Sequence, residues 1–506
     1  MNRLDRALAA VAPGWALKRQ KARLALSAMM HYDAATTGRR GQSWRPNGLS
    51  ADAAAMRRDR IAWVSRDMVR NTPHAARILQ VIANNVVGDG IIPKIETKSK
   101  TLQKQGLGLV ETHLDTTAID ADGCLNIYGL QRLAMNCVGE SGEALIRRRW
   151  RRVTDGFPLP FQIQVMEPDF LDTTRDGELK GGGRIAEGIQ YDAIGRRVGY
   201  WLFRDHPGSV GLGGRYSMES SFVPAADICH VFRPDRPGQK RGVPWFAPIA
   251  LLMQDAADHI DAQLLRQKIA ACFAVFRIED DATGEVSATD VASDTQLRPG
   301  AIETLRPGQD VRFATPPGVQ GFGEFQTAVN RMIAAGIGLT YEAVTGDLST
   351  VNFSSARMGR MEMDRNVSSW QWLMLIPQMM APIGRWFLEA WAVQQMNPRI
   401  LDAKVTWVPP RRVLIDPTKE VPAIIAAMEG ALASWQGTVR ELGMDPERLL
   451  EEMRQDIDAG KELGVKLGQS GGKPAAETPP DQGRVGTYPE DGTEEDGNDD
   501  PNDREE

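Results

Sequence analysis

Cysteine is scarce in this sequence of 506 residues, which contains only four. The four are widely separated and form no C-x-x-C pair; they are Cys124, Cys137, Cys229 and Cys272. Such spacing excludes a disulfide framework and is typical of buried thiols in a reducing compartment. Cys229 is followed directly by His230, but adjacent residues lack the spacing of zinc ligands. We therefore expect no metal site there.

The sequence also lacks a hydrophobic run long enough to cross a membrane. Its most apolar stretch is WQWLMLIPQMMAPIG, residues 370–384. A membrane-spanning helix needs about 20 residues, whereas this stretch is shorter and contains two prolines and two glutamines. It is better explained as a buried or inter-subunit helix. The first 25 residues are basic but have no continuous apolar core, so we expect neither a secretory signal nor a membrane partner.

Catalytic motifs are scarce as well. No G-x-x-x-x-G-K-[ST] loop is present, which excludes a P-loop ATPase. The stretch GESGE, residues 139–143, departs from the G-x-S-x-G elbow at its last position and is better explained as a turn into a strand. Gly181–Gly183 lies in a polar region without the strand–turn–helix context of a phosphate site. These patterns indicate no catalytic residue and no cofactor.

One cluster of ionisable residues leaves an enzymatic alternative open. Asp255, Asp258 and His259 have helical spacing in the region after residue 250. Carboxylates beside a histidine are used in general acid–base and metal-assisted hydrolysis, so a metal-dependent hydrolase, either a nuclease or a protease, is the alternative function. A solvated helix face is the simpler interpretation, and we expect that the chain is not an enzyme.

Charge is distributed unevenly along the chain. Residues 471–506 contain 12 Asp or Glu and 3 Lys or Arg, a net charge of −9. The whole chain carries −6, so residues 1–470 carry +3. The tail has almost no large apolar residues to offset the entropy cost of ordering, and we expect it to be disordered. The nearly neutral body does not have the basic character of a protein built to grip DNA.

Apolar periodicity predicts helices near residue 60. Ser50 is an N-cap for a helix reaching residue 71, with Ile61, Val64 and Met68 on one face. A second helix starts at Thr72–Pro73 and ends at Gly88.

Residues 120–232 are then expected to be mostly β. Within them, GIQYDAIGRRVGYWLF predicts two strands joined by a hairpin at residues 193–195.

Two long helices are predicted around a β-rich insertion. Residues 245–273 have an apolar stripe formed by Leu252, Ile260, Leu264 and Ile269. Residues 274–320 contain short strands and Pro/Gly turns, and residues 322–346 are helical again.

A Met/Trp-rich helix follows and runs to about residue 395. Pro377 and Pro382 are expected to kink or break it. One strand in AKVTWVPPRRVL and a small helical C-terminal region complete the chain.

Several stretches together resemble phage portal proteins of the lambda-type family, the head–tail connectors. No single stretch is diagnostic, but their order and spacing agree with the family over about residues 30–465. The stretches are YDAATTGRR (32–40), SRDMVRNTPHAARILQVIANNVVGDGIIP (65–93), GEALIRRR (142–149), MEPDFLD (166–172), GIQYDAIGRRVGYWLFRDHPG (188–208), VPAADICHVFRPDRPGQKRGVPWFAPI (223–249) and NFSSARMGRMEMDR (352–365).

The resemblance implies an α+β portal fold, with an α/β wing, long stem helices, a β-rich clip insertion and a helical crown, assembled as a ring. The implied parts are an N-terminal basic arm (1–45), a wing (46–244), a stem helix (245–272), the clip (273–320), a second stem helix (321–345), a tunnel loop (346–357), a kinked tunnel or wing helix (358–395), a wing strand (396–415), the crown (416–467) and the disordered acidic tail (468–506).

The resemblance also implies a function and partners. A ring of about twelve copies would occupy one capsid vertex, where double-stranded DNA enters during packaging and leaves during ejection. The implied partners are the terminase large subunit, head–tail connector or adaptor proteins, the major capsid and scaffold proteins, and the DNA itself. The implied location is the virion, with assembly in the host cytoplasm. No cofactor is implied.

The tunnel-loop assignment agrees with the chemistry of the residues. Between Gly346 and Ala356 there is no Lys or Arg, and Asp347 is the single charge. Each phosphate that a protein neutralises strengthens DNA binding, so a loop without cations touches DNA without holding it. The alternative is an ordinary connection, with Asn352 or Ser354 as N-cap of the next helix. The candidate residues are Gly346, Asp347, Leu348, Ser349, Thr350, Val351, Asn352, Phe353, Ser354 and Ser355.

Overall fold

The protein is described by a computed structural model that divides into two compact units, Met1–Asp445 and Pro446–Glu506. The described residues are 48–55, 57–209, 219–271, 275–278, 302–305, 321–349, 351–410, 416–444 and 446–464, with Gly14, Trp15, Lys18 and Lys21. The predictions for the acidic tail, most of the basic arm and most of the clip insertion lie outside these residues.

Helices account for much of the described chain. In the first unit they are α1 (Ala51–Ala54), α2 (Arg58–Asn71), α3 (Pro73–Val86), α4 (Lys100–Leu109), α5 (Ile127–Ser141), α6 (Ala250–Ala271), α7 (Phe322–Ile337), α8 (Tyr341–Thr345), α9 (Phe353–Ser369), α10 (Ala381–Gln395), α11 (Pro417–Glu429) and α12 (Trp435–Glu441). The described part of the second unit contains α13 (Pro446–Glu462). Two π-helical segments, Val110–Leu114 and Trp370–Met380, follow α4 and α9.

The strands of the described part of the chain form four sheets. They are β1 (Ile92–Glu96), β2 (Glu143–Trp150), β3 (Phe161–Met166), β4 (Gly177–Glu178), β5 (Arg184–Ala186), β6 (Ile189–Tyr191), β7 (Arg197–Phe203), β8 (Ser220–Pro224), β9 (Ile228–Phe232), β10 (Val275–Ile278), β11 (Ile302–Leu305) and β12 (Lys404–Val408). The antiparallel sheets have the orders β3-β2-β9, β4-β5-β6-β7-β8 and β1-β12. Strands β10 and β11, inside the insertion, are parallel.

The predicted hairpin is confirmed, but the expectation of mostly β structure for residues 120–232 is wrong in one place. β6 pairs with β7, with Ile189 opposite Tyr200. Residues 127–141 instead form α5, which Asn126 caps by accepting a hydrogen bond from the Gly129 backbone at 3.0 Å. The spacing of its buried Ile127, Leu130, Ala134 and Val138 is helical, and that signal was available in the sequence.

The helix predicted from Ser50 is interrupted. Ser50 caps α1 as expected, but Arg57 has a left-handed backbone with φ of 63°, so α2 begins separately at Arg58. The face buried by α2 consists of Ala62, Ser65 and Met68, whereas Val64 is 43% exposed. The predicted Ile61/Val64/Met68 face is therefore wrong at Val64. The following helix α3 begins at Pro73 as predicted.

The long Met/Trp-rich helix is not broken by its prolines. From Phe353 to Gln395 the chain remains helical, because the π-helical segment Trp370–Met380 joins α9 to α10. Pro377 lies inside that segment. A π-helical stretch changes which carbonyl each amide reaches, so it can accommodate a residue that has no amide hydrogen. Pro382 is the second residue of α10, directly after the π-helical segment.

The core has two parts. The larger one is centred on α3, α5 and α10, and includes the fully buried Trp391, Phe387, Ile78 and Ile82. The smaller one lies between β2 and the five-stranded sheet, where Leu145 and Met166 pack near Tyr200 and Leu202. Truncating one of the large buried aromatic residues to Ala would cost about 3–5 kcal/mol. The two apolar faces of β2 thus join both parts of the core.

A buried charge network begins where α5 meets β2. The Glu143 carboxylate accepts hydrogen bonds from Arg241 Nε at 2.7 Å and from the Gly242 backbone at 2.8 Å. His230 Nε2 lies 2.9 Å from Glu143 Oε2, the oxygen that also accepts the Gly242 hydrogen bond. Burial by itself would raise the pKa of Glu143, but Arg241 and His230 outweigh it and hold that pKa well below its usual range. Glu143 is therefore ionised, and burial lowers the pKa of His230.

The same network extends toward the N-terminal helices. Arg241 Nη1 lies 3.1 Å from Glu187, which also pairs with Arg58 at 2.6 Å. Arg58 in turn lies 3.0 Å from Asp52 on α1. Elements distant in sequence are thus connected through charged side chains that are partly or fully withdrawn from water.

We predict that Arg241→Met lowers the free energy of unfolding by about 3–5 kcal/mol, because it leaves the buried Glu143 carboxylate without its cation. The measurement is urea unfolding followed by tryptophan fluorescence. The double variant Glu143→Gln/Arg241→Met should recover part of the loss. Arg365→Met is the control: its pair with Glu362 is exposed and should change stability by no more than about 0.5 kcal/mol. Equal effects from Arg241→Met and the control would contradict the prediction.

Candidate functional site

The predicted site segment connects α8 to α9. Gly346 ends α8 with φ of 75° and donates its backbone N–H to the Glu342 carbonyl at 2.8 Å. A left-handed φ is readily adopted by glycine, so the residue type fits this position. The connection extends to Asn352, and the last three predicted residues, Phe353, Ser354 and Ser355, form the first turn of α9. Thr350 lies outside the described residues.

Asp347 organises the first half of this connection. Its carboxylate accepts hydrogen bonds from the Ser349 backbone at 3.0 Å and from the Tyr341 hydroxyl at 3.1 Å. Its own backbone N–H donates to Thr345 Oγ1 at 3.1 Å. The hydrogen bonds from Ser349, followed by that from Tyr341, lower the pKa of Asp347. The carboxylate is therefore charged at neutral pH. The pattern Thr-Gly-Asp at 345–347 is the sequence signal for this turn.

The second half is fixed by a capping box. Asn352 Oδ1 accepts a hydrogen bond from the Ser355 backbone at 2.8 Å, and the Asn352 backbone donates to Ser355 Oγ at 3.3 Å. Of the two alternatives left open by the sequence, the N-cap is Asn352 rather than Ser354. A capped connection and a surface segment that faces a channel are compatible, because the cap uses only the end of the segment.

The segment presents both apolar and polar groups to solvent. Leu348 is 68% exposed, while Val351 is half-buried and Ser349 is exposed. The exposed surface continues along α9 with Met358 and Met361. The first cation after the segment is Arg357, on the second turn of α9. The surface of the described segment therefore carries a single charge, that of Asp347.

Helices α6 and α7 precede the segment and pack against each other. Within the described residues, the predicted apolar stripe of α6 is left partly uncovered, since Ile260 is 39% exposed and Leu264 is 47% exposed. Leu251 and Leu265 on the same helix are more exposed still. The residues that α6 does bury include Met253 and Ala256. Two helix turns of α6 thus present large apolar side chains outward, which is a recognised mark of an interaction surface.

The side chains of the candidate hydrolytic cluster on α6, Asp255, Asp258 and His259, do not converge on a common site. The His259 ring packs against Phe322 at 5.6 Å and against Phe325 at 5.0 Å, measured between ring centroids. Asp258 accepts a hydrogen bond from Gln254 at 2.8 Å. The contacts of His259 are those of an apolar packing residue, and neither this cluster nor Asp255 has the geometry of a general base beside a nucleophile. The hydrolase alternative therefore has no support.

One group with metal-ligand proximity occurs in the described part of the chain, and sequence reasoning missed it. Ligand atoms of Glu167, Asp169 and His206 lie within 4.8 Å of one another. Arg66 already pairs with Asp169 and lies 3.4 Å from Glu167. His206 Nδ1 accepts a hydrogen bond from the Gly208 backbone at 2.9 Å, so its proton is on Nε2, which faces Glu167. That nitrogen has no free lone pair for a metal, and the group is an ion-pair cluster.

Among the residues that the structure describes, no helix is both long enough and apolar enough to cross a lipid bilayer.

These features define the class of the protein. It is a mixed helix-and-sheet protein in which α6 exposes large apolar side chains and a surface segment joins α8 to α9. The lambda family of phage portal proteins has a family model that matches residues 37–371. The match covers more than half of the chain, and the chain belongs to this family. The resemblance drawn from the sequence is confirmed, and so is the role of a phage portal protein at the head–tail connection.

Curated relatives support the assignment. The chain is 25% identical over 432 residues to a probable portal protein of Halomonas phage phiHAP-1, covering 79% of this chain and 80% of that protein. It is 21% identical over 500 residues to portal protein B of Escherichia phage lambda, covering 86% and 91%.

Solved structures with partial likeness come from gene transfer agent particles. A chain in the neck of a native particle computed with C12 symmetry has a TM-score of 0.41 at 16% identity, covering 76% of this chain and 94% of that chain. A chain in the virion of a native particle has a TM-score of 0.40 at 16% identity, covering 79% and 96%. At these TM-scores the likeness does not bear on the assembly of this protein.

We predict that Asn352→Ala destabilises the start of α9, whereas Ser354→Ala does not. Removal of the N-cap should cost about 1 kcal/mol, because the Ser355 amide loses its acceptor. Hydrogen exchange of the amides in residues 353–358 measures the effect locally, and the Asn352→Ala variant should exchange about fivefold faster. Ser354→Ala is the matched control, since Ser354 does not act as the cap. Faster exchange in the Ser354 variant alone would show that the capping assignment is wrong.

Proposed function

We propose that this portal protein assembles as a ring of about twelve copies around a channel for double-stranded DNA. The observation that carries the proposal is the outward apolar surface of α6 in a chain that belongs to the portal family. Leu251, Leu264 and Leu265 are large apolar side chains exposed along one helix, and a neighbouring copy would bury them. A repeated interface of this kind closes into a ring when the rotation between copies divides a full turn.

Within that ring the parts take the roles that the family implies. Residues 46–244 and 396–415 form the wing, and the stem consists of residues 245–272 and 321–345. The clip is the insertion 273–320, in which β10 and β11 are the described strands. Residues 358–395 form the long helix that leaves the channel, and residues 416–467 form the crown. The clip would meet the terminase during packaging and the connector proteins afterwards.

The segment Gly346–Ser355 is the tunnel loop in this proposal. Its described surface combines the exposed Leu348 with hydroxyl and amide groups, and its charge is the ionised Asp347. A duplex passing such a surface meets no cation that would displace its counterions and hold it. The carboxylate adds a weak repulsion for phosphate at short range. The segment would therefore narrow the channel without slowing the DNA.

The partners in this proposal are other virion and packaging components. They are the terminase large subunit, the head–tail connector or adaptor proteins, the major capsid and scaffold proteins, and the DNA in the channel. The protein would reside at the portal vertex of the virion after assembly in the host cytoplasm.

The first prediction from this proposal concerns the ring. Leu264→Glu should prevent ring formation, because a carboxylate at a buried interface between copies loses its hydration. Sedimentation velocity should show a particle of several hundred kDa for the unchanged protein and monomers for the variant. Ile194→Glu is the control, since Ile194 is 78% exposed in the β6–β7 turn and lies far from α6 in sequence. Monomers of the unchanged protein at micromolar concentration in several salts would contradict the ring.

The second prediction concerns the tunnel loop. Leu348→Arg/Val351→Arg should leave rings intact but impair packaging, because each copy gains two cations that bind phosphate. Rings imaged by electron microscopy and nuclease protection of packaged DNA provide the measurement. DNA retention by the variant should also fall more steeply with salt, with a slope larger by roughly 0.9 for each added phosphate contact.

Leu348→Gln/Val351→Gln is the matched control, as it changes the same positions without adding charge. Normal packaging by the arginine variant would show that the segment does not face DNA. Equal impairment by the glutamine variant would show that shape rather than charge is responsible.

A further inference from the structure

The proposed tunnel loop is attached to helices that are fixed on the protein body. Helix α9 is tied to the end of α7, because Asn366 Nδ2 donates to the Gly338 carbonyl at 3.0 Å. Helix α8 is anchored by Val344, which is buried in the larger part of the core. Beyond these anchored helices lie residues 347–349 and 351, which we call the tip of the loop. The position of the tip therefore depends on what connects it to the helices.

A tyrosine at the start of α8 reaches the tip. Tyr341 is half-buried, and its hydroxyl donates to Asp347 Oδ2 at 3.1 Å. The other Asp347 oxygen accepts the Ser349 backbone N–H at 3.0 Å, and the Val351 backbone donates to the Leu348 carbonyl at 3.2 Å. These last two hydrogen bonds close the tip on itself. The Tyr341 hydroxyl, in contrast, connects the tip to a helical residue six positions earlier in the chain.

The ring of Tyr341 has a contact of its own on α7. The Arg331 guanidinium lies over the ring, with its central carbon 5.6 Å from the ring centroid, which is within the range of a cation–π interaction. This contact restricts the ring, while the hydroxyl at its far end donates to Asp347. Arg331, Tyr341 and Asp347 thus form a line of contacts that leads from α7 to the tip.

We propose that Tyr341 is a positioning residue, which holds the tip at a set distance from α7 by donating to the Asp347 carboxylate. The proposal rests on the proposed function, in which the tip narrows the DNA channel. Leu348 follows Asp347 directly and is 68% exposed, so the position of Asp347 determines how far this side chain projects. Without the hydroxyl, the tip would keep its internal hydrogen bonds but lose this connection, and its distance from α7 would vary.

The variant Tyr341→Phe isolates the hydroxyl, because it keeps the ring and its contact with Arg331. Rings should form, and the melting temperature should be unchanged. Hydrogen exchange of a peptide covering residues 346–352, labelled for milliseconds, should become about fivefold faster, since the loss of one net hydrogen bond loosens the tip. Tyr128→Phe is the matched control: its hydroxyl donates to Asp115 at 2.8 Å on another exposed surface, and its removal should leave this peptide unchanged.

A second variant tests whether Arg331 acts through the tyrosine ring. Arg331→Met should speed exchange of the same peptide about twofold, because an exposed cation–π contact contributes little. The double variant Arg331→Met/Tyr341→Phe should exchange no faster than Tyr341→Phe alone, since Arg331 has no effect on the tip once the hydroxyl is gone. Fully additive effects of the two substitutions would show that the line of contacts from α7 to the tip is wrong.

Retention of packaged DNA separates the role of Tyr341 from the proposed function. Tyr341→Phe rings should retain less DNA in a nuclease-protection assay after packaging is stopped, because a moving tip confines the duplex less. Unchanged exchange of the peptide 346–352 would overturn the positioning role whatever the packaging result. Faster exchange with normal retention, while Leu348→Arg/Val351→Arg impairs packaging, would refute the positioning role and leave the proposed function standing. Normal packaging and retention in both variants would contradict the proposed function as well.

Discussion

The packing of the elements around β2 depends on the buried carboxylate of Glu143. It lies where α5 turns into β2, and it is held by Arg241 and His230 from segments about 90 residues away in sequence. The turn itself requires glycine, since Gly142 has φ of 90° and a Cβ there would lie 2.4 Å from the Val243 carbonyl carbon. Close backbone contact and charge compensation thus fix the same junction. Because β2 contributes to both parts of the core, an error at this junction would be transmitted to both sheets.

Local features of the fold were predictable from the sequence, and distant ones were not. Helix α3 begins at Pro73 and the β6–β7 hairpin forms, because proline at a first helical position and strand–turn–strand patterns act over a few residues. Helix α5 was missed although its apolar spacing is helical, since its neighbours on both sides suggested strands. The Glu143–Arg241 pair was beyond prediction, because no local pattern indicates which cation meets a buried carboxylate.

In the candidate site, the composition of the segment was predictable from the sequence, but its geometry was not. The lack of Lys and Arg between residues 346 and 356 can be read directly from the sequence, and it agrees with the tunnel-loop assignment, which the family resemblance implies. The choice between Asn352 and Ser354 as cap required coordinates, because both residue types are good N-caps. The apolar stripe of α6 could be recognised as a pattern, but in the part of the chain that the structure describes Ile260 and Leu264 stay exposed. The sequence pattern identifies an apolar helix face. Whether that face is buried depends on which other surface packs against it.

The π-helical segment between α9 and α10 determines the direction in which the side chains of α9 point relative to those of α10. Each residue of an α-helix advances its side-chain direction by about 100°. A one-residue deletion within Trp370–Met380 would therefore turn the exposed face of α9, with Met358 and Met361, by about that angle relative to the buried face of α10. The helix axis could continue without interruption while the surface it displays changed. An insertion or deletion in this short stretch would thus change the direction of the exposed α9 face beside the Gly346–Ser355 segment. The aromatic residues of α10 would keep their packing in the core.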